Sequence, residues 1–235
     1  MLKLIRLEWR KNRIFRYVRA ALLLAAVLGL FLFALAFWGI ANDPDTGVPD
    51  VASGNETIAS SIELFTSMSY LVFTGAMLSS FLVRPYQNKT MALMFTYPIK
   101  RQKILAAQML AVWLFCFAAL LGTKLLLYGI ILLGSRFQTS AFLVDYTMTA
   151  LPFYLQLLAK SAVTVTMGFI ALFVGLALRS GKATLLTSFL LIFLTQANIG
   201  DFTLSRNLLF PLILTALSLL CAVLSVWRIE QRDLM

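Results

Sequence analysis

The chain has 235 residues, 60% of them apolar and 13% charged, with a mean hydropathy of +0.87, a composition that belongs to a membrane protein rather than to soluble domains. Lys and Arg number 20 against 10 Asp and Glu, a net charge of +10, so the first question is which side of a bilayer holds the excess. There is no histidine, which excludes Ser–His catalysis, HExxH metal sites and histidine-ligated haem within this chain. Cys116 and Cys221 lie inside apolar runs, as small, buried, unpaired thiols do.

Residues 1–19 read as an amphipathic interfacial helix: Leu4, Leu7, Ile14 and Val18 are apolar, Trp9 suits a headgroup region, and seven Lys and Arg suit anionic lipid. Crossing about 30 Å of hydrocarbon takes about 20 apolar residues at 1.5 Å each, and 20–40 is the first stretch that meets this. Ala34-Leu35-Ala36 looks like a signal-peptide cleavage triplet, but the basic region before it is long and the apolar stretch fills a whole span, so an uncleaved span is expected. Residues 41–61 contain no Lys or Arg and hold Asp43, Asp45, Asp50 and Glu56. The second span, 64–83, brings Glu63, Ser67, Tyr70 and Thr74 to one helix face at intervals of 4, 3 and 4.

In 84–103, Pro85 can start a short helix and Pro98 must end it. That helix exposes Leu93, Met94, Phe95 and Tyr97 beside polar groups, which a docking surface needs and a merely positive loop does not. The third span is 104–123. A further full crossing in 125–159 would invert everything after it, so an extended third helix followed by interfacial or re-entrant segments is expected, with Pro152 breaking the last. Helical rise puts Glu63, Lys124 and Lys160 each about 30 Å from the inner boundary. Two readings stay open for them: snorkelling to the outer headgroups, or a charged rim at the mouth of a pathway with Glu63 paired to one lysine.

The fourth span, 161–178, carries Ser161, Thr164, Gly168, Ala171 and Gly175 on one face, a small-residue stripe for close helix packing. A tight turn with Arg179 and Lys182 leads to the fifth span, 183–200, whose Thr184, Ser188, Thr195 and Asn198 again share a face. The polar stripes of the second and fifth spans suit either hydrogen bonding between helices or a shared, wettable interior. The sixth span is 208–227. If the spans alternate, sixteen of the 20 basic residues fall on one side: seven in 1–19, then Arg84, Lys89, Lys100, Arg101, Lys103, Arg179, Lys182, Arg228 and Arg232. That side is the cytoplasm, with both termini inside. The expected fold is all-α and integral to the membrane, a single domain of six transmembrane helices with an N-terminal interfacial helix and a short cytoplasmic helix.

Lys89-Thr90 followed by Phe95-Thr96-Tyr97-Pro98-Ile99 and Lys100-Arg101, leading into Ile104-Leu105, resembles the coupling-helix region of type-2 ABC exporter permeases, above all small bacterial permeases of antimicrobial-peptide export and immunity. The resemblance extends to the plan of six spans, cytoplasmic termini, amphipathic N-terminal helix and basic turn after the fourth span. Members often carry an acidic residue near the position of Arg84 or Pro85, where this chain has none.

The resemblance implies the membrane half of an ATP-driven exporter in a bacterial cell membrane, without an ATPase site or cofactor of its own. Gly175 to Lys182 is the nearest match to a phosphate loop, but it has five intervening residues rather than four and Ala183 where Ser or Thr would ligate magnesium. ATP and magnesium are therefore expected on a separate ABC ATPase subunit, with two permease copies in the assembly. ATPase coupling falls to Tyr86, Lys89, Thr90, Leu93, Phe95 and Tyr97; pathway lining to Ser67, Tyr70, Thr74, Thr184, Ser188 and Thr195; an outer rim to Glu63, Lys124 and Lys160. The competing class is an ATP-independent six-span protein, a channel, scramblase or assembly factor, using the cytoplasmic helix as a lipid anchor. Membrane lipids are partners under both readings; nucleic acid is not, since there is no basic soluble domain.

Overall fold

The computed structural model describes residues 2–12, 14–37, 58–87, 101–137, 151–196, 198–199, 202–203 and 209–232. In lipid every backbone polar group must be satisfied within its own segment, so runs this apolar become helices. They are α1 (Leu2–Lys11), α2 (Phe15–Phe37), α3 (Ile58–Leu78), a π-turn (Ser79–Val83), α4 (Arg84–Gln87), α5 (Arg101–Phe137), α6 (Leu151–Ala177), α7 (Gly181–Gln196) and α8 (Leu209–Arg232). Between α7 and α8 a minimal antiparallel ribbon pairs β1 (Asn198–Ile199) with β2 (Phe202–Thr203). The all-helical expectation therefore takes one small correction, at the point where the fifth span was expected to run on to residue 200.

Among the described residues, four helical stretches are long and apolar enough to cross a membrane, Phe15–Ala36, Ile58–Val83, Lys103–Arg136 and Leu151–Ala177, and two shorter apolar helices follow, Gly181–Thr195 and Pro211–Trp227. The third is the extended helix expected from the sequence: at 37 residues α5 is about 55 Å long, well beyond the hydrocarbon thickness. Pro152 does not break a segment. It is the second residue of α6, where its missing N–H would have had no intrahelical partner and its fixed φ suits a helix start. Pro85 does not open a helix either, because the chain is already helical from Ile58 and passes through the π-turn into α4. Its ring would press on the carbonyl four residues back, and the wide turn immediately before it relieves that conflict.

The described chain divides into two compact units. One comprises 15–69 and 118–161; its core joins Leu28, Leu32 and Ala36 of α2, Ile58 and Ile62 of α3, Leu127, Tyr128 and Ile131 of α5, and Leu157 of α6. Phe31 meets Phe65 edge to face at 5.0 Å, and Tyr128 meets Phe153 in the same way. The other unit comprises 1–14, 70–117 and 162–235, with Leu71, Met167, Ala171, Leu191 and Leu214 at the heart of one cluster.

In that second unit α1 is more than a lipid anchor. It ends at Lys11, while Phe15–Arg19 belong to the first span. Ile5 and Glu8 are buried, Gln108 Nε2 donates to Glu8 Oε1 at 3.1 Å, and Trp9 Nε1 donates to the Ala111 carbonyl at 3.2 Å. The indole that suits a headgroup region is instead spent on a spanning helix. Leu7 and Arg6 remain exposed on α1.

The tight turn after α6 closes on Arg179, which adopts φ 49°. Arg179 N donates to Leu176 O at 3.4 Å and Ser180 N to Gly175 O at 3.1 Å, the paired bonds of a Schellman-type helix end. Glycine is usual at such a left-handed position, and Arg there costs about 1 kcal/mol.

Glycines also set the helix separations. A β-carbon at Gly75 would collide with the Ser188 hydroxyl, one at Gly168 would lie 2.7 Å from Thr74 Cγ2, and one at Gly175 would collide with Thr184 Oγ1. The small-residue stripe thus packs as the sequence reading prefers. Gly75→Ala should lower the unfolding temperature in detergent, since overpacking of this kind costs about 1–3 kcal/mol. Gly122→Ala, whose β-carbon would meet nothing within 4 Å, should leave it unchanged or raise it, because alanine favours helix by about 1 kcal/mol.

Candidate translocation and coupling site

The seam among α3, α6 and α7 is assembled from the polar stripes of two helices and the glycines of two. Tyr70, Thr74, Thr184 and Ser188 are all buried. Thr74 faces Gly168, Thr184 faces Gly175 and Ser188 faces Gly75, so side chains on one helix occupy the space left by a missing side chain on another. Three of these hydroxyls donate back along the chain. Thr74 Oγ1 donates to Tyr70 O at 2.7 Å, Ser188 Oγ to Thr184 O at 2.9 Å and Thr184 Oγ1 to Ser180 O at 3.4 Å, each four residues back on its own helix. Thr74, Thr184 and Ser188 therefore keep these acceptors whether or not the neighbouring helix is present.

Ser67 and Thr195 are partly exposed, and Thr195 Oγ1 donates to Ile192 O at 2.9 Å. The structure gathers Thr74, Thr184 and Ser188 into the seam and leaves Thr195 further along α7. Aromatic rings line the same unit: Tyr70 meets Phe73 at 5.8 Å, Phe73 meets Phe115 at 6.5 Å, and Trp113 stacks on Phe117 at 5.1 Å while its Nε1 donates to Thr166 Oγ1 at 3.2 Å.

Of the coupling positions, Tyr86 lies in α4, and Lys89, Thr90, Leu93, Phe95 and Tyr97 lie outside the described residues. What the structure adds is the junction leading to them. Arg84 N–H donates to Ser79 O across the π-turn, Ser79, Phe81, Leu82 and Val83 are buried, and Ser79 Oγ donates to Gly181 O at 3.1 Å. The end of α3 is thereby tied to the first residue of α7.

In the other unit, Lys124 Nζ sits 2.7 Å from Glu63 Oε2, with the lysine side chain 0% and the glutamate 17% exposed. Lys124 does not snorkel; it turns inward to a carboxylate on α3. Lys160 is exposed on α6, and its like charge acts on Lys124. Thr66, one turn after Ile62, donates back to the Ile62 carbonyl at 2.6 Å. Sequence reasoning singled out these charges but passed over Gly75, Ser79 and Gly181. The available signals were a glycine beside Thr74 in a spanning helix, and a Ser79-Ser80 pair shortly before Pro85.

Long apolar helices and a basic turn between α6 and α7 mark an integral-membrane protein. Over residues 4–165, more than half its length, the chain matches the model of the family described as ABC-2 family transporter protein, and it belongs to that family. It is accordingly the multi-pass membrane permease of an ABC transporter, a transport subunit distinct from the ABC ATPase that works with it. The chain is also similar, at 24% identity over 241 residues covering 99% of this chain and 100% of the relative, to the uncharacterized protein YcbO of Bacillus subtilis strain 168. No solved structure matches it.

A buried ion pair that loses one partner strands a charge, at about 3–5 kcal/mol, whereas replacing both with apolar groups is often neutral. Lys124→Met should therefore lower the unfolding temperature in detergent more than Lys124→Met combined with Glu63→Met. Equal or additive losses in the double-mutant cycle would show that the pair does not couple α3 to α5.

Proposed function

We propose that this permease exports an amphipathic peptide or lipid-like substrate from the cytoplasm through the cell membrane, driven by a separate ATPase subunit that holds ATP and magnesium. Two copies of the chain and two ATPases form the assembly. Each copy crosses six times, with α7 and α8 as the fifth and sixth spans and both termini cytoplasmic. In support, this orientation puts Arg179 and Lys182 and the basic residues of α1 on the side where positive charge is retained.

The observation that carries the reading is the seam: polar residues of α3 and α7 face glycines rather than lipid, on the two helices joined by Ser79 to the segment that would dock the ATPase. Tyr86, Lys89, Thr90, Leu93, Phe95 and Tyr97 receive the ATPase. Its closure on ATP favours a state in which the seam parts and Ser67, Tyr70, Thr74, Thr184, Ser188 and Thr195 line the path, because nucleotide binds the two states unequally. Hydroxyls already bonded to their own helix need no new partner when this happens. Glu63, Lys124 and Lys160 stand at the outer rim, and the exposed apolar faces of α2 and α8 meet lipid.

Phe95→Asp should abolish co-purification of the ATPase while the permease still inserts and purifies, because a carboxylate replaces a large apolar docking group. Undiminished co-purification would refute the docking assignment. A chain that never retains an ATPase would favour an ATP-independent channel or scramblase.

A further inference from the structure

We propose that the π-turn at Ser79–Val83 is the joint that carries motion from the ATPase-docking segment into the helix seam, with Ser79 and Gly181 as its positioning residues. The proposal rests on the reading that residues 84–103 receive the ATPase.

Three features make this turn a joint rather than an irregularity. First, its widened ring closes through Arg84 N–H to Ser79 O, one residue further back than an α-helical bond, so reverting to α geometry would rotate everything beyond it by about 100°. Pro85, immediately beyond, has no N–H to stabilise the α alternative and its ring opposes it, which biases the resting state toward the π form.

Second, the joint is fastened to the start of α7. The Ser79 hydroxyl donates to the Gly181 carbonyl at 3.1 Å, and a β-carbon at Gly181 would stand 2.6 Å from that hydroxyl. Gly181 thus lets the two backbones approach, and Ser79 latches them. Val83, the last residue of the turn, lies 3.4 Å from where a β-carbon on Gly175 would be.

Third, the element so fastened is the one that carries the candidate lining. α7 begins at Gly181, and its next two inward turns place Thr184 against Gly175 and Ser188 against Gly75. A rotation at the π-turn that pulls on Gly181 therefore acts directly on the contacts that close the seam. Buried packing of this kind has discrete arrangements rather than continuous ones, so a small displacement at the joint is converted into a separation of helices.

The joint can be locked. The Ser79 β-carbon is 3.9 Å from the ideal β-carbon position on Gly181, within the range of a disulfide. The experiment uses the permease–ATPase complex in detergent, with Cys116→Ala, Cys221→Ala, Ser79→Cys and Gly181→Cys, and follows amide hydrogen exchange over residues 181–196 with and without ATP. In the reduced protein, ATP should change exchange across α7. Oxidation should abolish that change while the ATPase stays bound, and reductant should restore it.

An ATP-dependent change that persists undiminished in the oxidised, cross-linked protein would overturn the proposal. If the unlocked parent retains no ATPase, the docking reading fails and the joint with it; if it retains the ATPase but shows no ATP-dependent change, the joint alone is overturned. As a second variant, Ser79→Ala should keep the ATPase bound but shrink the ATP-dependent change severalfold, the worth of one buried hydrogen bond, with Ser79→Thr recovering it. Parental behaviour in Ser79→Ala would equally count against the latch.

Discussion

Where a glycine of one helix accepts a side chain of another, two backbones come closer than any ordinary pair of residues allows, and this protein uses that device three times in one seam. Gly75, Gly168 and Gly175 take Ser188, Thr74 and Thr184. Apolar helices gain nothing from hiding from lipid, so in a membrane such close packing replaces the hydrophobic effect as the adhesive. The position of α7 against α3 and α6 follows from these fits, and so does the approach that lets Ser79 reach the Gly181 carbonyl. The Thr74 and Ser188 hydroxyls donate within their own helices, and these contacts are held mainly by shape. An interface held by shape can part without leaving unsatisfied donors, which is what a gated path requires.

The other unit is held differently. Its core is apolar, yet Lys124 is wholly buried against Glu63. Desolvating two charges is expensive, and their attraction repays the cost only while both stay in place. Such a pair resists partial opening and fixes the register of α3 against α5. The chain thus combines a seam whose polar groups are indifferent to separation with a contact that penalises it. Glu8, the sole acid among the basic residues of α1, plays a comparable part by meeting Gln108 and seating the first helix on α5.

Hydropathy placed the long apolar helices but not their ends, because a run of about 20 apolar residues in lipid has few alternatives while α3 begins at Ile58 and α6 at Leu151, outside the runs that marked them. The stripe from Ser161 to Gly175 was legible for a similar reason, since helical periodicity assigns its face without any partner. Residues whose roles depend on a partner were not legible. Trp9 has the character of an interfacial residue until Ala111 is beside it, and Ser79 is an ordinary serine until the π-turn aims it at Gly181. Pro152 was read as a break and Pro85 as a helix start, because a proline that breaks a helix, one in a first turn and one after a π-turn look the same in sequence. That Glu63 meets Lys124 is a matter of which helix faces which, and helical rise alone does not decide it.

Opening of the seam is most directly measured at Ser188, which is fully buried against Gly75. In a variant with Cys116→Ala, Cys221→Ala and Ser188→Cys, assembled with the ATPase, labelling by a charged, membrane-impermeant thiol reagent should be negligible without nucleotide and should rise when ATP is bound. Labelling that stays negligible in both conditions would contradict the account, and would leave the glycine contacts as static packing.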